Sequence, residues 1–209
     1  MIYTFEVGNV IPTNAYFYID EKTNAGFLID AGAESEKILN FISEKNLTIE
    51  KILITHGHYD HIGAAAAIQK KLNIPICMQK NGKNYAENPA WNISIAFGES
   101  MTLQNVTYLD DYSEIILNAN PNFKLKIIPC AGHTLDGAIY YSENDGVAFV
   151  GDSIFKGSFG RTDLPGGDFD TLIKNIKEKI LTLPDETILL SGHSPETTVA
   201  AEKCSWIVR

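Results

Sequence analysis

Cysteine is scarce in this chain. Cys77, Cys130 and Cys204 are the only three in 209 residues, and no two share a paired spacing. An odd, unpaired set argues against a disulfide framework and for a reducing, cytoplasmic setting. Basic residues are also in short supply, with 17 Lys and Arg against 26 Asp and Glu and a net charge of −9. A field of that sign repels phosphate backbones and anionic bilayers, so neither nucleic acid nor membrane is an expected partner. The N-terminus, Met1-Ile2-Tyr3-Thr4-Phe5-Glu6, lacks the basic and apolar regions of a leader, and no apolar run is long enough to span a bilayer. Repeats, low-complexity stretches and linkers are missing too. What is present, 44% hydrophobic and 21% charged residues, reads as a soluble globular chain with one domain over 1–209. Nothing in it sets an oligomeric state.

Strand-like segments open the chain at residues 2–7, 15–20 and 26–30, with Glu21-Lys22-Thr23-Asn24 as a turn. Ile38, Leu39, Phe41 and Ile42 recur at helical spacing and predict a helix over 34–45. A strand at 51–55 leads into a histidine-rich loop, then a helix over 62–72 and a strand at 75–78. Residues 79–120 are less legible, with helical signs at 83–87 and a loop at 88–98. Strands are expected at 123–129, 138–141, 147–150 and 187–190, and helices at 168–181 and 197–203. This order suits two sheets with helices outside them better than one alternating parallel sheet.

The five histidines carry the chemistry. Three fall in Thr55-His56-Gly57-His58-Tyr59-Asp60-His61, between a strand and a helix. Side chains two apart in extended chain point the same way, so His56 and His58 can grip one ion together. The turn into the helix re-aims Asp60 and His61 toward a second ion. Imidazoles and a carboxylate suit a borderline cation such as zinc, and packing has little use for three imidazoles and a carboxylate within six residues. His133, His193 and Asp152 stand beside glycine at other strand ends. Each alone would read as an ordinary polar side chain or turn residue; beside the cluster, each becomes a candidate ligand.

The HxHxDH loop with His133, the Gly151-Asp152 pair and His193 resembles the metallo-β-lactamase superfamily over nearly the whole chain. Gly151-Asp152-Ser153-Ile154-Phe155, the run from Gly160-Arg161-Thr162-Asp163 to Asp168, and Gly192-His193-Ser194-Pro195-Glu196 are similar to short glyoxalase II-like hydrolases. The resemblance implies an α/β, four-layer αββα sandwich of two mixed sheets, with metals at one edge between them. It implies His56, His58 and His133 on one metal, Asp60, His61 and His193 on the other, and Asp152 on both. It places Asp30 behind the metal-binding loop, although a turn aspartate explains Asp30 equally well.

Two features depart from that family. Its third-ligand loop has a proline before Gly-His and Thr-Pro-Gly after it, where this chain reads Cys130-Ala131-Gly132-His133-Thr134-Leu135-Asp136-Gly137. The ligand is kept, but the loop near Asp136 is expected to differ, and Cys130 reads as a buried thiol rather than a soft ligand. Full-length glyoxalase II enzymes also carry a C-terminal helical domain that helps hold glutathione. This chain ends soon after His193, so glutathione specificity is not carried over.

The expected function is therefore a binuclear hydrolase of a small-molecule thioester such as S-D-lactoylglutathione. Two divalent cations, zinc before iron or manganese, would lower a bridging water's pKa to roughly 7, with Asp60 orienting it. Arg161 is a candidate for holding a substrate carboxylate, or else pins its loop to Asp163 or Asp168. The rivals are a persulfide dioxygenase with one iron on His56, His133 and Asp152, and a lactone or ester hydrolase. A nuclease is opposed by the charge, and a non-catalytic metal-binding module by the full set of ligands.

Overall fold

A computed structural model describes residues 1–8 and 10–207 of the chain. It begins with strands β1 (Ile2–Val7), β2 (Thr13–Asp20) and β3 (Ala25–Ile29), then helix α1 (Ser35–Glu44) and strand β4 (Thr48–Leu53). Helices α2 (Tyr59–Ile62) and α3 (Ala65–Leu72), strand β5 (Ile76–Gln79), helix α4 (Lys83–Glu87) and strand β6 (Val106–Leu109) complete the first half. The second half holds β7 (Glu114–Leu117), β8 (Asn120–Pro129), β9 (Ala138–Ser142) and β10 (Val147–Gly151), then the small hairpin β11 (Ile154–Phe155) and β12 (Ser158–Phe159). Helix α5 (Phe169–Asn175), strands β13 (Ile188–Ser191) and β14 (Thr197–Thr198), and helix α6 (Val199–Ile207) close it.

β1 to β6 form one sheet in chain order, antiparallel through β3 and parallel beyond it. The other sheet runs β14-β13-β10-β9-β8-β7, its one parallel pair being β10 with β13. Period-two alternation shows how the layers stack. On β2, Tyr16 and Tyr18 enter the core between the sheets while Phe17 and Ile19 enter the core under α1 and α3. On β10, Val147 and Phe149 face the intersheet core while Ala148 and Val150 face a third core with Leu172 of α5 and Val199 of α6. Three cores separate four layers, which makes this the metallo-β-lactamase αββα sandwich with two mixed sheets. No helix among the described residues is long and apolar enough to cross a membrane.

Three expectations about elements need correction. The helix at 62–72 is two, and its first turn starts earlier, at Tyr59. At the break, the Ala64 amide donates to the Ala31 carbonyl at 2.9 Å. There a Cβ on Gly32 would stand 1.8 Å from the Asp60 carbonyl oxygen, so only glycine lets the two segments meet. The helix at 168–181 stops being α-helical after Asn175, and a wider π-turn at Ile176–Ile180 keeps both of those isoleucines buried. The terminal helix begins at Val199 because Thr197 and Thr198 pair with β13 instead. Residues 88–98 remain a loop apart from a single tight turn, Ser94–Phe97.

Candidate metal centre

Each candidate ligand follows a strand that points toward the same edge of the sandwich. β4 leads into His56 and His58, α2 carries Asp60 and His61, and β8, β10 and β13 lead to His133, Asp152 and His193. His58 keeps an extended backbone (φ −66°, ψ 149°) until α2 begins, and the turn then swings Asp60 and His61 away from it.

The geometry has two clusters and a bridge. His58 Nδ1 lies 3.1 Å from His56 Nε2 and 3.0 Å from His133 Nε2. On the other side, His193 Nε2 lies 3.1 Å from Asp60 Oδ2 and 3.4 Å from His61 Nε2. Asp152 reaches both: Oδ1 is 3.4 Å from His61 Nε2, while Oδ2 is 3.2 Å from His193 Nε2 and 3.6 Å from His133 Nε2. His56 also groups with His61 and Asp152, so its ring stands between the two clusters. Gly192 must be glycine for this, since a Cβ there would lie 2.3 Å from Asp152 Oδ1.

Outer hydrogen bonds set which ring nitrogen faces inward. His133 Nδ1 meets the Arg161 carbonyl at 2.7 Å, and His193 Nδ1 meets the Pro12 carbonyl at 2.7 Å. A carbonyl can only accept, so both rings carry their proton on Nδ1 and turn Nε2 to the centre. Asp30 is fully buried; its Oδ1 accepts from the Thr55 amide at 2.8 Å, and its Oδ2 from the Thr55 hydroxyl at 2.7 Å. Oδ2 also lies 3.0 Å from His61 Nδ1. Asp30 therefore contacts both the loop and a candidate ligand, which a plain turn aspartate would not. The Thr13 hydroxyl donates to Asp60 Oδ2 at 3.2 Å. Thr13, Thr55 and the carbonyls of Pro12 and Arg161 were not readable as parts of the site. Their signal is spatial, since nothing in a threonine or a backbone carbonyl marks it in the sequence.

Charge divides the centre. Burial, reinforced by neighbouring rings, holds His56 far below the ordinary imidazole value, His58 down to about 3 and His133 lowered as well. Burial opposes charging of His61 and His193 too, but carboxylates outweigh it. Asp60, Asp30 and Asp152 raise His61 well above its usual range, and hydrogen bonds to Asp152 and Asp60 lift His193 to about 10. The same contacts overcome desolvation to keep Asp60 and Asp152 ionised. Three neutral rings with converging lone pairs, a buried Asp152 Oδ1 with no hydrogen-bond partner, and an all nitrogen and oxygen donor set fit two borderline divalent cations.

The remaining candidates fall outside that convergence. Cys130 is buried with its thiol pushed up to about 11 by desolvation, and no cysteine joins the metal-competent groups among the described residues. Asp136 is 1% exposed, and burial raises its carboxyl to about 7 against the nearby Thr134 hydroxyl and backbone amides. Arg161 lines the cavity over the centre, but its guanidinium makes two 2.7 Å hydrogen bonds to Asp163. Asp168, its other suggested partner, instead caps α5 by accepting from the Thr171 amide.

A carboxylate shared by two adjoining ligand clusters, at the mouth between two packed sheets, defines the class as a metal-dependent hydrolase. The chain belongs to the metallo-beta-lactamase superfamily, whose family model matches residues 8–193. It is 39% identical to the probable metallo-hydrolase YqgX of Bacillus subtilis, covering 92% of this chain and 90% of that one. It is 33% identical to the hydroxyacylglutathione hydrolase GloC of Haemophilus influenzae, covering 94% of each. Among solved structures, the BLEG-1 B3 metallo-beta-lactamase superposes with a TM-score of 0.91 at 33% identity, over 98% of this chain and 97% of that one. TTHA1623 in a di-iron-bound form gives 0.85 at 30% identity, over 97% and 98%.

Proposed function

We propose that the chain is a binuclear metal-dependent thioesterase of the hydroxyacylglutathione hydrolase type. The observation that carries this reading is Asp152, whose Oδ2 faces His133 of one cluster and His193 of the other while its Oδ1 faces His61. His56, His58 and His133 would hold one cation, Asp60, His61 and His193 the other, and Asp152 both. When bound, such ions supply a water of lowered pKa and a Lewis acid for an acyl carbonyl and its departing thiolate. Asp60 stays ionised and is fixed by Thr13, so it can hold the attacking water's proton and aim its lone pair. His61 is held by Asp30, and His133 and His193 by backbone carbonyls, which keeps the ligand set in place through the reaction.

Similarity to GloC supports the thioester substrate, and the nitrogen-rich donor set supports zinc, with the di-iron relative keeping iron as the second choice. Three free cysteines and the acidic charge support a cytoplasmic enzyme of a small molecule, without nucleic acid or membrane. A mononuclear iron site on His56, His133 and Asp152 would leave His58 idle, although its Nδ1 is wedged between two of those ligands. Elemental analysis of protein purified without chelator, followed by assays on thioesters, lactones and persulfides, tests the proposal. Two metal equivalents with thioester turnover are expected. One equivalent of iron with persulfide oxidation and no thioester cleavage would replace this reading.

A further inference from the structure

A thioester extends two arms from one carbonyl, and two cavities meet beside Asp60. The larger, about 510 Å³, lies over the metal ligands, within the range of roughly 300–1,000 Å³ usual for small-molecule sites. The smaller is about 250 Å³, and the two share Ile11, Asp60 and Phe97. Outside the ligands, the larger cavity is walled by Ile11, Ile93, Ala96, Phe97, Phe155 and Leu164. Arg161 is the one charged side chain on that wall among the described residues, and Asp163 already takes the Nε–Nη2 edge of its guanidinium. The smaller cavity adds Glu99, whose sign repels a carboxylate.

The apolar wall is built into the fold. Ile93 sits at φ 61°, ψ 7°, a left-handed conformation that a β-branched residue adopts only when its surroundings impose it. The imposing residue is Asn92, which is wholly buried. Its side-chain amide donates to the Tyr85 and Met101 carbonyls at 2.9 Å each, and its Oδ1 accepts from the Ser94 amide at 3.0 Å. The Tyr59 amide donates to its backbone carbonyl at 2.9 Å, anchoring this loop to the helix that bears Asp60. Phe97, at the end of the same turn, stacks on Tyr59 with ring centroids 4.2 Å apart.

We propose that this cavity selects thioesters whose acyl and thiol arms are uncharged and apolar, in preference to glutathione conjugates. The inference rests on the thioesterase reading. Glutathione brings two carboxylates and an ammonium that would lose water here with only the outer edge of an already paired Arg161 to meet them, whereas an alkyl arm gains by leaving water.

The test holds an uncharged carrier, N-acetylcysteamine, constant and lengthens the acyl group from acetyl to butyryl to hexanoyl on metal-loaded protein. Calorimetry follows binding of the matched ketones, in which a methylene replaces the sulfur. Both kcat/KM and ketone affinity should rise about fourfold per methylene, with S-lactoylglutathione about tenfold or more below the hexanoyl substrate. Phe97 is 43% exposed, so Phe97→Ala spares the fold; it should flatten the series, and Phe97→Leu should restore most of it. A flat series, or a glutathione thioester ahead of the neutral ones, overturns the inference and leaves the thioesterase intact. If no thioester is cleaved, a surviving ketone gradient removes the thioesterase reading but keeps the apolar site, and a flat one removes both.

Discussion

The two halves of the metal centre use the same side chain in opposite charge states. Around His58, three imidazoles face one another with a single carboxylate, Asp152, 3.6 Å from His133, and burial with mutual repulsion outweighs it and lowers all three. Around His193, two carboxylates face two imidazoles, and both rings hold theirs. Histidine's ordinary pKa lies between these outcomes, so neighbours alone decide the side on which it falls. The lesson is that the first cluster is ready for a cation, whereas the second must release protons to accept one.

The severest way to break this asymmetry is Asp152→Ala, which removes the one side chain common to both clusters. Activity should fall at the upper end of a range of about 10²–10⁴-fold, and metal analysis should find the second equivalent gone. Asp60→Asn attacks one side only. Thioester turnover should drop by about 10²–10³-fold while a cation stays on His56, His58 and His133, and unchanged turnover at equal occupancy would make Asp60 a mere loop residue.

Acidity should separate the halves without mutation. Against burial, Asp152 and Asp60 raise His193 to about 10 and His61 is also raised, so both rings should carry protons at neutral pH that a cation must displace. Affinity at that cluster should therefore fall as pH drops, by up to about 100-fold per unit if two protons are released. The lowered pKa values of the first cluster predict a shallower pH dependence there than at the second. Metal titrations in buffers of different ionisation enthalpy count those protons, and equal slopes at both clusters would contradict the comparison.

Asp30→Ala probes the second cluster from behind. Freed from its partner, His61 should bind its cation about 10–100-fold more weakly, with a smaller loss at the first cluster because Asp30 also holds Thr55 beside His56, as competition with a chromogenic chelator would show. The smallest change is expected from Arg161→Ala. Its side chain is 61% exposed and paired with Asp163, so KM for a neutral thioester should move by less than about threefold. A large rise in KM confined to carboxylate-bearing substrates would show that Arg161 leaves Asp163 to bind them.

Much of this was legible because it is local. His56, His58, Asp60 and His61 lie within six residues, and a strand followed by a helical turn can aim them in only a few ways. The strands of the sandwich were readable where alternation or full burial left clear apolar runs, as at 15–20 and 138–141. The break at Gly63-Ala64 was not, because an alanine-rich run favours helix and only the approach of Ala31 and Gly32 interrupts it. The π-turn after Asn175 was hidden for a similar reason, since the sequence there keeps ordinary helical periodicity.

The sequence by itself determined the kinds of ligand, their placement at strand ends and the layering of the fold, since these follow from side-chain chemistry and short periodicities. Tertiary structure decided which ring nitrogen each histidine turns inward, which rings keep a proton, and that Asp30 backs His61. It also decided that Arg161 serves His133 through its carbonyl while its charge is spent on Asp163. These outcomes depend on distances of about 3 Å between groups up to 181 residues apart, and on how much water burial removes from them. Neither quantity is a property of any short stretch of chain.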